Sequence, residues 1–356
     1  MTRSRLRNLG IALGTLPPGP DNAITDVPGV WVGHTTVVRD EPRVVRTGVT
    51  MVVPRENRVW EDYCFAGWFR FNGNGELTGL PWLEESGMLG SPVAITNTNQ
   101  VGLVRDALER FAAEHSVRNG FWLPVVGETW DGWLSDINAF ALTEEDARAA
   151  LASAGPGPVA EGNVGGGTGM ICHDFKGGIG TASRCCQAGG GAWTVGALVQ
   201  ANYGDRADLR LDGVPLGRLI GCDRVPGAYH EEGSPGGSII VVVATDAPLI
   251  PTQCNRLARR ATVGLARAGG VGHDGSGDLF LAFATGNHLP GGQTRRRLEM
   301  LDHGEMDPLF AATAEAVEEA ILNALCAAET MTGFRGHTAH ALPLDAVAEA
   351  WAARPW

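Results

Sequence analysis

Residues 231–249 read EEGSPGGSIIVVVATDAPL, and in them a run of turn-forming residues stops at Ser238 and is followed at once by Ile-Ile-Val-Val-Val. Five consecutive β-branched residues predict a strand buried on both faces, because such side chains are stiff and pack well on a pleated surface. We therefore expect Ser238 at the start of a core strand. Serine is also common in ordinary turns, where its hydroxyl binds nearby backbone groups. This stretch alone leaves both interpretations open.

The composition is that of a globular protein. Of the 356 residues, 44% are hydrophobic and 19% are charged, so we expect a large buried core. The net charge is -12 and no basic run is longer than residues 295–297, which argues against a nucleic-acid partner. No apolar stretch is long enough to span a membrane, and the N-terminus lacks a convincing signal peptide. We expect a soluble, cytoplasmic protein and leave export by another route open.

The sequence contains no recognised metal-binding or hydrolase motif. The seven cysteines are odd in number and form no CxxC pair, which argues against a zinc site and against a disulfide framework. The nine histidines form no HExxH motif, and the GxSxG motif of α/β-hydrolases does not occur. We therefore expect neither a metal nor a cofactor.

Fifty glycines are about twice the usual share, and many stand beside apolar runs. Such clusters predict backbone crowded around a site, where side chains would block close approach. They lie at residues 73–75, 165–167, 189–191, 236–237 and 275–277. The segment GNVGGGTGM, residues 162–170, also suggests a phosphate-binding loop, but it lacks the Gly-Lys-Ser/Thr ending of such loops. We favour a tightly packed turn there.

Strand and helix signals are mixed along the chain. Short apolar runs predict strands over residues 48–53, 93–97, 123–126, 195–200, 238–245 and 279–285. Apolar periodicity predicts helices over residues 99–115, 143–154, 250–268 and 307–328, the last within a long Ala/Glu-rich helical pattern from 301 to 332. There is no regular βαβ repeat, so we expect a layered α/β protein and not a Rossmann domain. No linker divides the chain, and we treat it as a single domain.

Small polar residues recur beside glycine where the predicted strands begin or end. They are Asn202, Ser238, Ser276 and Asp278. Each alone can be explained as a turn residue. Together they are the arrangement by which a rigid scaffold positions a functional site.

Longer blocks of the sequence carry a family resemblance. They are AITDVPGVWVGHTT (23–36), FNGNGELTGLPWLEESG (71–87), LPVVGETWDGWLSDIN (123–138), GNVGGGTGMICHDFKGGIGTASR (162–184), VGALVQANYG (195–204), GSIIVVVATDAPL (237–249) and GSGDLFLAF (275–283). In this order they resemble the peptidases that include L-aminopeptidase D-Ala-esterase/amidase and the β-peptidyl aminopeptidases. The resemblance covers nearly the whole chain.

The resemblance implies a hydrolase of the N-terminal-nucleophile type with an αββα sandwich, made as a precursor that cuts itself before its catalytic serine. In this chain the cut would fall between Gly237 and Ser238, giving an α chain of residues 1–237 and a β chain of residues 238–356 within one peptidase domain. Ser238 would then carry a free α-amino group. Its ordinary pKa of about 7.7–8.0 suits it as base for its own hydroxyl.

The resemblance also implies roles for the remaining site residues. Ser276 and Asp278 match the residues that assist the nucleophile, and Asn202 matches the asparagine that stabilises the oxyanion. Glu128 matches the acid that holds the free amino group of the substrate. Trp130 stands where some relatives carry tyrosine; it lacks that hydroxyl, and we expect it to shape the pocket.

The implied substrate is a short peptide or an amino-acid amide or ester, and the implied assembly is a homotetramer of αβ units. The residues do not decide between L-, D- and β-amino acids. Two alternatives stay open. One is acyl transfer of the ornithine acetyltransferase type on the same scaffold, although those enzymes use threonine where this chain has serine. The other is a non-enzymatic binder whose glycine loops hold a small anion.

Overall fold

The computed structural model describes residues 3–115, 121–229 and 237–354. Most of the turn-forming run before Ser238, residues 230–236, lies outside the described residues. The strands are β1 Trp31–Arg39, β2 Val45–Val53, β3 Asp62–Arg70, β4 Met88–Leu89, β5 Val93–Asn97, β6 Val125–Thr129, β7 Ile171–Cys172, β8 Phe175–Lys176, β9 Gly178–Ala188, β10 Gly191–Asn202, β11 Ser238–Thr245, β12 Gly277–Pro290, β13 Met331–Thr332 and β14 Thr338–Ala339. The helices are α1 Leu80–Ser86, α2 Val101–Glu114, α3 Glu144–Ala152, α4 Leu216–Leu219, α5 Pro251–Arg267, α6 Asp307–Ala327 and α7 Leu344–Ala352. Within these three ranges, no helix combines the length and the apolar character that a membrane span requires.

Two large sheets organise the fold. One has six strands in the order β4-β3-β12-β11-β10-β9, and the other has four in the order β1-β2-β5-β6. Strand β11 is parallel to β12 and antiparallel to β10, so β10 ends at the edge where β11 and β12 begin. In this register Ser238 lies opposite Asn202 on one side and Gly277 on the other. Polar residues that are far apart in the sequence therefore meet at one sheet edge.

Strand β11 lies at the centre of the molecule, and all eight of its residues are buried. Ile239, Val241 and Val243 point into the core beneath the outer helices, while Ile240 and Val242 point into the core between the two sheets. Fully burying such a side chain contributes roughly 1.5–3 kcal/mol. The β-branched run is thus explained by a strand with no solvent face, as predicted.

The helices and sheets form four layers that are held together by these apolar cores. Helices α5 and α6 pack on the outer face of the six-stranded sheet, and α2 and α3 pack on the outer face of the four-stranded sheet. Between the sheets, Val52, Ile95 and Val125 of one meet Leu198, Ile240 and Leu281 of the other in a shared apolar core. The order of layers is helix, sheet, sheet, helix, which confirms the predicted αββα sandwich.

All six predicted strands are present, and four helices lie close to their predicted bounds. Helix α3 begins as expected, with the Thr143 hydroxyl and the Asp146 carboxylate capping each other's backbone N–H. The predicted strand 123–126 is shifted and extends over Val125–Thr129, because its parallel pairing with β5 continues to Asn97 and Thr129.

The prediction of one long helix over residues 301–332 was wrong at both ends. Helix α6 starts at Asp307, where Pro308 occupies a first-turn position, and it stops at Ala327 because Ala328 is extended. The long strands β1, β3 and β9, the two-residue strands β4, β7, β8, β13 and β14, and the helices α1, α4 and α7 were not predicted.

Strand β9 is buried against α6 by small residues and a charged cluster. A Cβ at Gly180 would lie 2.0 Å from the carbonyl oxygen of Ala320, so the helix packs directly on the strand backbone. The fully buried Arg184 binds Glu315 at 3.0 Å and Glu319 at 2.6 Å. Removing one partner of such a buried pair typically costs about 3–5 kcal/mol. This strand has few β-branched residues, which is why its sequence gave no strand signal.

Candidate active site

Ser238 starts the central strand β11 and is 7% exposed. Its Oγ accepts a hydrogen bond from the backbone N–H of Gly277 at 3.0 Å. The residue also borders a cavity of about 530 Å³, which we call the Ser238 cavity; its other lining residues include Thr98, Glu128, Trp130 and Gly237. A serine held by a buried strand yet facing a cavity is rigidly placed and accessible to a small molecule.

Ser276 and Asp278 flank Gly277, the residue that pairs with Ser238. The Ser276 hydroxyl donates to Asp278 Oδ1 at 2.6 Å, and both side chains are buried. Burial raises the pKa of Asp278, and hydrogen bonds from Ser276, from the backbone of Ile239 and from Asn72 oppose that rise. Because Ile239 follows Ser238, the carboxyl group lies beside the backbone of the candidate nucleophile.

Asn202 ends β10 opposite Ser238 and is almost fully buried. Its Oδ1 accepts the backbone N–H of Ile171 at 2.8 Å, and its Nδ2 donates to the carbonyl oxygen of Trp130 at 3.0 Å. These bonds fix which way the amide points. Within the described residues Nδ2 has no second acceptor, so one N–H is left for another group.

Glu128 reaches the Ser238 cavity from the other sheet, on β6, and is 3% exposed. Its Oε1 accepts the backbone N–H of Glu76 at 2.9 Å, and its Oε2 accepts the Thr98 hydroxyl. Burial raises the pKa of Glu128, and the bonds from Thr98 and Glu76 oppose that rise. Across residues 3–115, 121–229 and 237–354 it has no cationic partner, so a substrate ammonium group is a suitable ligand.

Two glycine-rich loops, residues 73–75 and 275–277, pack closely together beside the Ser238 cavity. The clustering of glycines in the sequence predicted such a crowded site. A Cβ at Gly277 would lie 2.4 Å from the carbonyl oxygen of Asn74 and 2.7 Å from the Cα of Gly75. A Cβ at Gly75 would lie 3.1 Å from Glu128 Oε1. Larger residues at these positions would separate the loops or displace the carboxylate.

Trp130 follows β6 and lines the Ser238 cavity. Its ring lies over Gly132, where a Cβ would come within 2.4 Å of the ring atoms. The next residue, Asp131, is fully buried; burial raises its pKa to about 7, and the nearby Glu128 carboxyl adds to that rise.

The structure adds supporting residues that the sequence analysis missed. Thr98 holds Glu128, and its only signal was its position directly after a predicted strand. The fully buried Lys176 donates to the carbonyl oxygens of Gly167, Met170 and Gly177 at 3.2, 2.9 and 2.8 Å. These bonds fix the position of the glycine-rich segment next to Ile171. The backbone N–H of Ile171 in turn orients the Asn202 side chain. Gly165–Gly167 is a buried 3-10 turn, in agreement with the packed turn expected there.

One largely exposed group of side chains beside the site resembles a set of cation ligands. Asp205, Asp208 and His273 place candidate ligand atoms within 4.8 Å of one another. Exposed acidic groups of this kind are common without an ion, and we assign this group no function.

Residues 22–339 match the sequence model of a family that is described as "Peptidase family S58". The chain belongs to peptidase family S58. A relative named β-peptidyl aminopeptidase, from Sphingosinicella microcystinivorans, is 45% identical over 95% of this chain and 89% of its own length.

Two solved structures are similar to this S58 peptidase over almost all of both chains. A β-aminopeptidase from a Burkholderia species is 49% identical, with a TM-score of 0.92 and 99% of each chain covered. The L-aminopeptidase D-Ala-esterase/amidase of Ochrobactrum anthropi is 43% identical, with a TM-score of 0.89 and 98% of each chain covered. That enzyme is described as a prototype for the serine aminopeptidases and as a variant of the Ntn-hydrolase fold.

The resemblance inferred from the sequence blocks is therefore confirmed, and so is the fold. This S58 peptidase is an enzyme, a serine-type aminopeptidase or amidase with an Ntn-hydrolase fold. The acyltransferase and ligand-binder alternatives are not favoured. The structure brings the six predicted site residues to one end of the sandwich, around Ser238 and its cavity.

Proposed function

We propose that this chain is a self-processing aminopeptidase, in which Ser238 becomes the N-terminal nucleophile and removes N-terminal residues from short peptides, amides or esters. The observation that carries the proposal is that Ser238 lines the same cavity as Glu128, a carboxylate with no cationic partner among the residues that the structure describes. A nucleophile and an ammonium-binding group in one cavity are what an enzyme needs to cut beside a free N-terminus.

The backbone before Ser238 supports self-cleavage. A Cβ at Gly237 would lie 2.3 Å from the carbonyl oxygen of Asn202 and 2.7 Å from the Cα of Tyr203, so glycine is required for this close approach. In the proposed step, the Ser238 oxygen attacks the Gly237 carbonyl carbon, the C–N bond breaks, and an ester forms as the nitrogen takes up a proton. Water then hydrolyses the ester, leaving a carboxylate on Gly237 and a free amine on Ser238.

Peptide hydrolysis would use the same groups. The free Ser238 amine takes the hydroxyl proton as the oxygen attacks the substrate carbonyl. Ser276 and Asp278 orient the resulting ammonium, and the unused N–H of Asn202 stabilises the oxyanion. The leaving amine takes the proton, and water releases the acyl group from Ser238. No step requires a metal.

The names of the relatives support a substrate class. Two of them are described as β-peptidyl aminopeptidase and β-aminopeptidase, and we propose that this enzyme accepts N-terminal β-amino residues. The L-aminopeptidase D-Ala-esterase/amidase at 43% identity supports L-residue amides and D-alanine esters as a second class. Only the position of the amine relative to the scissile carbonyl differs between α- and β-residues.

The test is a panel of β-alanyl, L-alanyl and D-alanyl p-nitroanilides, each with a free and with an acetylated amine. We expect cleavage of the free-amine compounds, the β-alanyl compound among them. Cleavage of none of the free-amine compounds, or equal cleavage of the acetylated ones, would contradict the aminopeptidase proposal.

We also propose a homotetramer of αβ units. Large apolar side chains are exposed at Phe121, which is 69% exposed, and at Phe140, which is 60% exposed. An interface would cover such groups. Light scattering at micromolar concentration is expected to report four αβ units, and a single αβ unit would contradict this.

A further inference from the structure

A second cavity adjoins the Ser238 cavity. It has a volume of about 490 Å³, and we call it the Arg335 cavity; it is lined by Asn99, Trp130, Trp133, Asn138, Phe334 and Arg335 among others. Trp130 lines both cavities, and the consecutive residues Thr98 and Asn99 each line one of them. The two cavities therefore adjoin along the Trp130 side chain.

The walls of the Arg335 cavity are fixed by contacts between two segments. The ring of Trp133 stacks on His337 with centroids 3.9 Å apart, and His337 Nδ1 lies 3.0 Å from the carbonyl oxygen of Trp133. The backbone N–H of Phe334 donates to the carbonyl oxygen of Leu134 at 2.8 Å. The turn that carries Arg335 is thus attached to the segment that carries Trp130.

Among the described residues that line this cavity, Arg335 is the cation that has no acidic partner. Asp136 lines it, but its carboxylate is paired with Arg43. Arg335 is exposed, and its guanidinium lies 5.2 Å from the centroid of the Phe334 ring. In the described parts of the chain it has no carboxylate partner. A cavity with aromatic walls and one unpaired guanidinium fits an amino-acid residue that ends in a carboxylate.

We infer that the Arg335 cavity binds the part of the substrate that follows the scissile bond, and that Arg335 binds its free C-terminal carboxylate. The inference rests on the proposed aminopeptidase function. Glu128 would hold the amine at one end of the substrate and Arg335 the carboxylate at the other, with Trp130 between them. The substrate class is then di- and tripeptides with both termini free, in preference to C-terminal amides.

The test compares a dipeptide and a tripeptide with their C-terminal amides, on wild type, Arg335→Met and Arg335→Lys. An ion pair at an exposed site is worth roughly a factor of 2 to 5, so we expect wild type to prefer the free acids by about that factor in kcat/KM. Arg335→Met is expected to bring this preference close to 1, and Arg335→Lys to keep part of it. Arg354→Met is the matched control, because Arg354 lies over the Trp351 ring away from both cavities, and it is expected to keep the full preference.

These experiments distinguish a failure of the Arg335 inference from a failure of the proposed aminopeptidase function. If wild type cleaves p-nitroanilides but cuts acids and amides equally well, the Arg335 inference fails alone. It also fails alone if Arg335→Met keeps the preference for free acids. If wild type cleaves no free-amine compound at all, the proposed function fails, and the inference fails with it.

Discussion

Glu128 has to be ionised to hold an ammonium group, although its burial favours the neutral form. The Thr98 hydroxyl and the Glu76 N–H offset part of that cost. Its raised pKa means that amine binding should strengthen as the pH rises through that pKa. A bound ammonium would itself lower the pKa, since an opposite charge favours the ionised carboxylate.

Replacing Glu128 with glutamine removes the charge while keeping the shape. A hydrogen bond to a charged group is worth roughly 1.5–3 kcal/mol, so kcat/KM on free-amine p-nitroanilides is expected to fall about ten- to a hundredfold. The acid limb of the pH profile that Glu128 causes should disappear. Self-cleavage should continue, because it presents no free amine. The exposed Glu84 serves as control, and Glu84→Gln is expected to match wild type; an unchanged kcat/KM in Glu128→Gln would show that Glu128 does not anchor the amine.

Asp131 offers a test on stability. Its folded pKa of about 7 lies above the ordinary value of 3.8, so between these values the folded protein holds more protons than the unfolded chain. Stability therefore falls as the pH rises from about 4 to 7, and the loss is complete above pH 7. Asp131→Asn removes this dependence.

Urea unfolding should show Asp131→Asn gaining roughly 3 kcal/mol relative to wild type between pH 5 and pH 8. The control is Asp106→Asn, whose side chain is 72% exposed; it is expected to track wild type at both values. A constant difference between Asp131→Asn and wild type at the two pH values would contradict the assignment.

At the scale of elements, the site depends on how closely β12 approaches the loop of residues 73–76. Gly277→Ala would push the start of β12 away from Asn74, because the new Cβ would lie 2.4 Å from its carbonyl oxygen. A displacement of about 1 Å at a catalytic group costs on the order of 100-fold in rate, and we expect a loss of that size in kcat.

The control glycine is Gly102, in helix α2, where a Cβ would meet nothing within 4 Å. Gly102→Ala is expected to keep full activity and to gain stability from helix propensity, by less than the roughly 0.8–1.0 kcal/mol of a helix interior because Gly102 lies in the first turn. Near-normal kcat in Gly277→Ala would show that the close approach at β12 is not needed for function.

The sequence predicted those elements whose own residues carry the signal. Ile239 to Val243 identify β11, and Thr143 with Asp146 marks the start of α3. Strand β9 was missed because its place depends on α6 packing on Gly180 and on the buried Arg184 cluster, which only the tertiary fold creates. Propensity describes a residue's local preference, and distant partners can override it.

The residues of the candidate site also divide into those that the sequence could identify and those that only the structure shows. Ser238, Ser276 and Asp278 were found because each stands beside glycine at a strand end, and Asn202 was found because it lies at a strand end two residues before Gly204. Glu128 and Trp130 were found through the family resemblance alone. Thr98 and Arg335 were missed because their positions depend on contacts between segments that are far apart in the sequence. Lys176 was missed because its role depends on how the adjacent glycine-rich segment folds around its ammonium group.

At the scale of the whole molecule, the proposed cut would divide the chain without dividing the fold. Strand β11 follows the cut and lies between β10 of the first piece and β12 of the second. It also contributes to both apolar cores. The two pieces are therefore expected to stay associated under native conditions and to separate only on denaturation.

Cleavage at Ser238 is the central claim, and mass spectrometry of the purified, denatured protein tests it most directly. We predict two fragments, residues 1–237 and residues 238–356, with Ser238 as the N-terminus of the second. Ser238→Ala, which lacks the attacking oxygen, is expected to stay at full length and to be inactive. A fully active wild-type enzyme that shows only the mass of the intact chain would contradict the account.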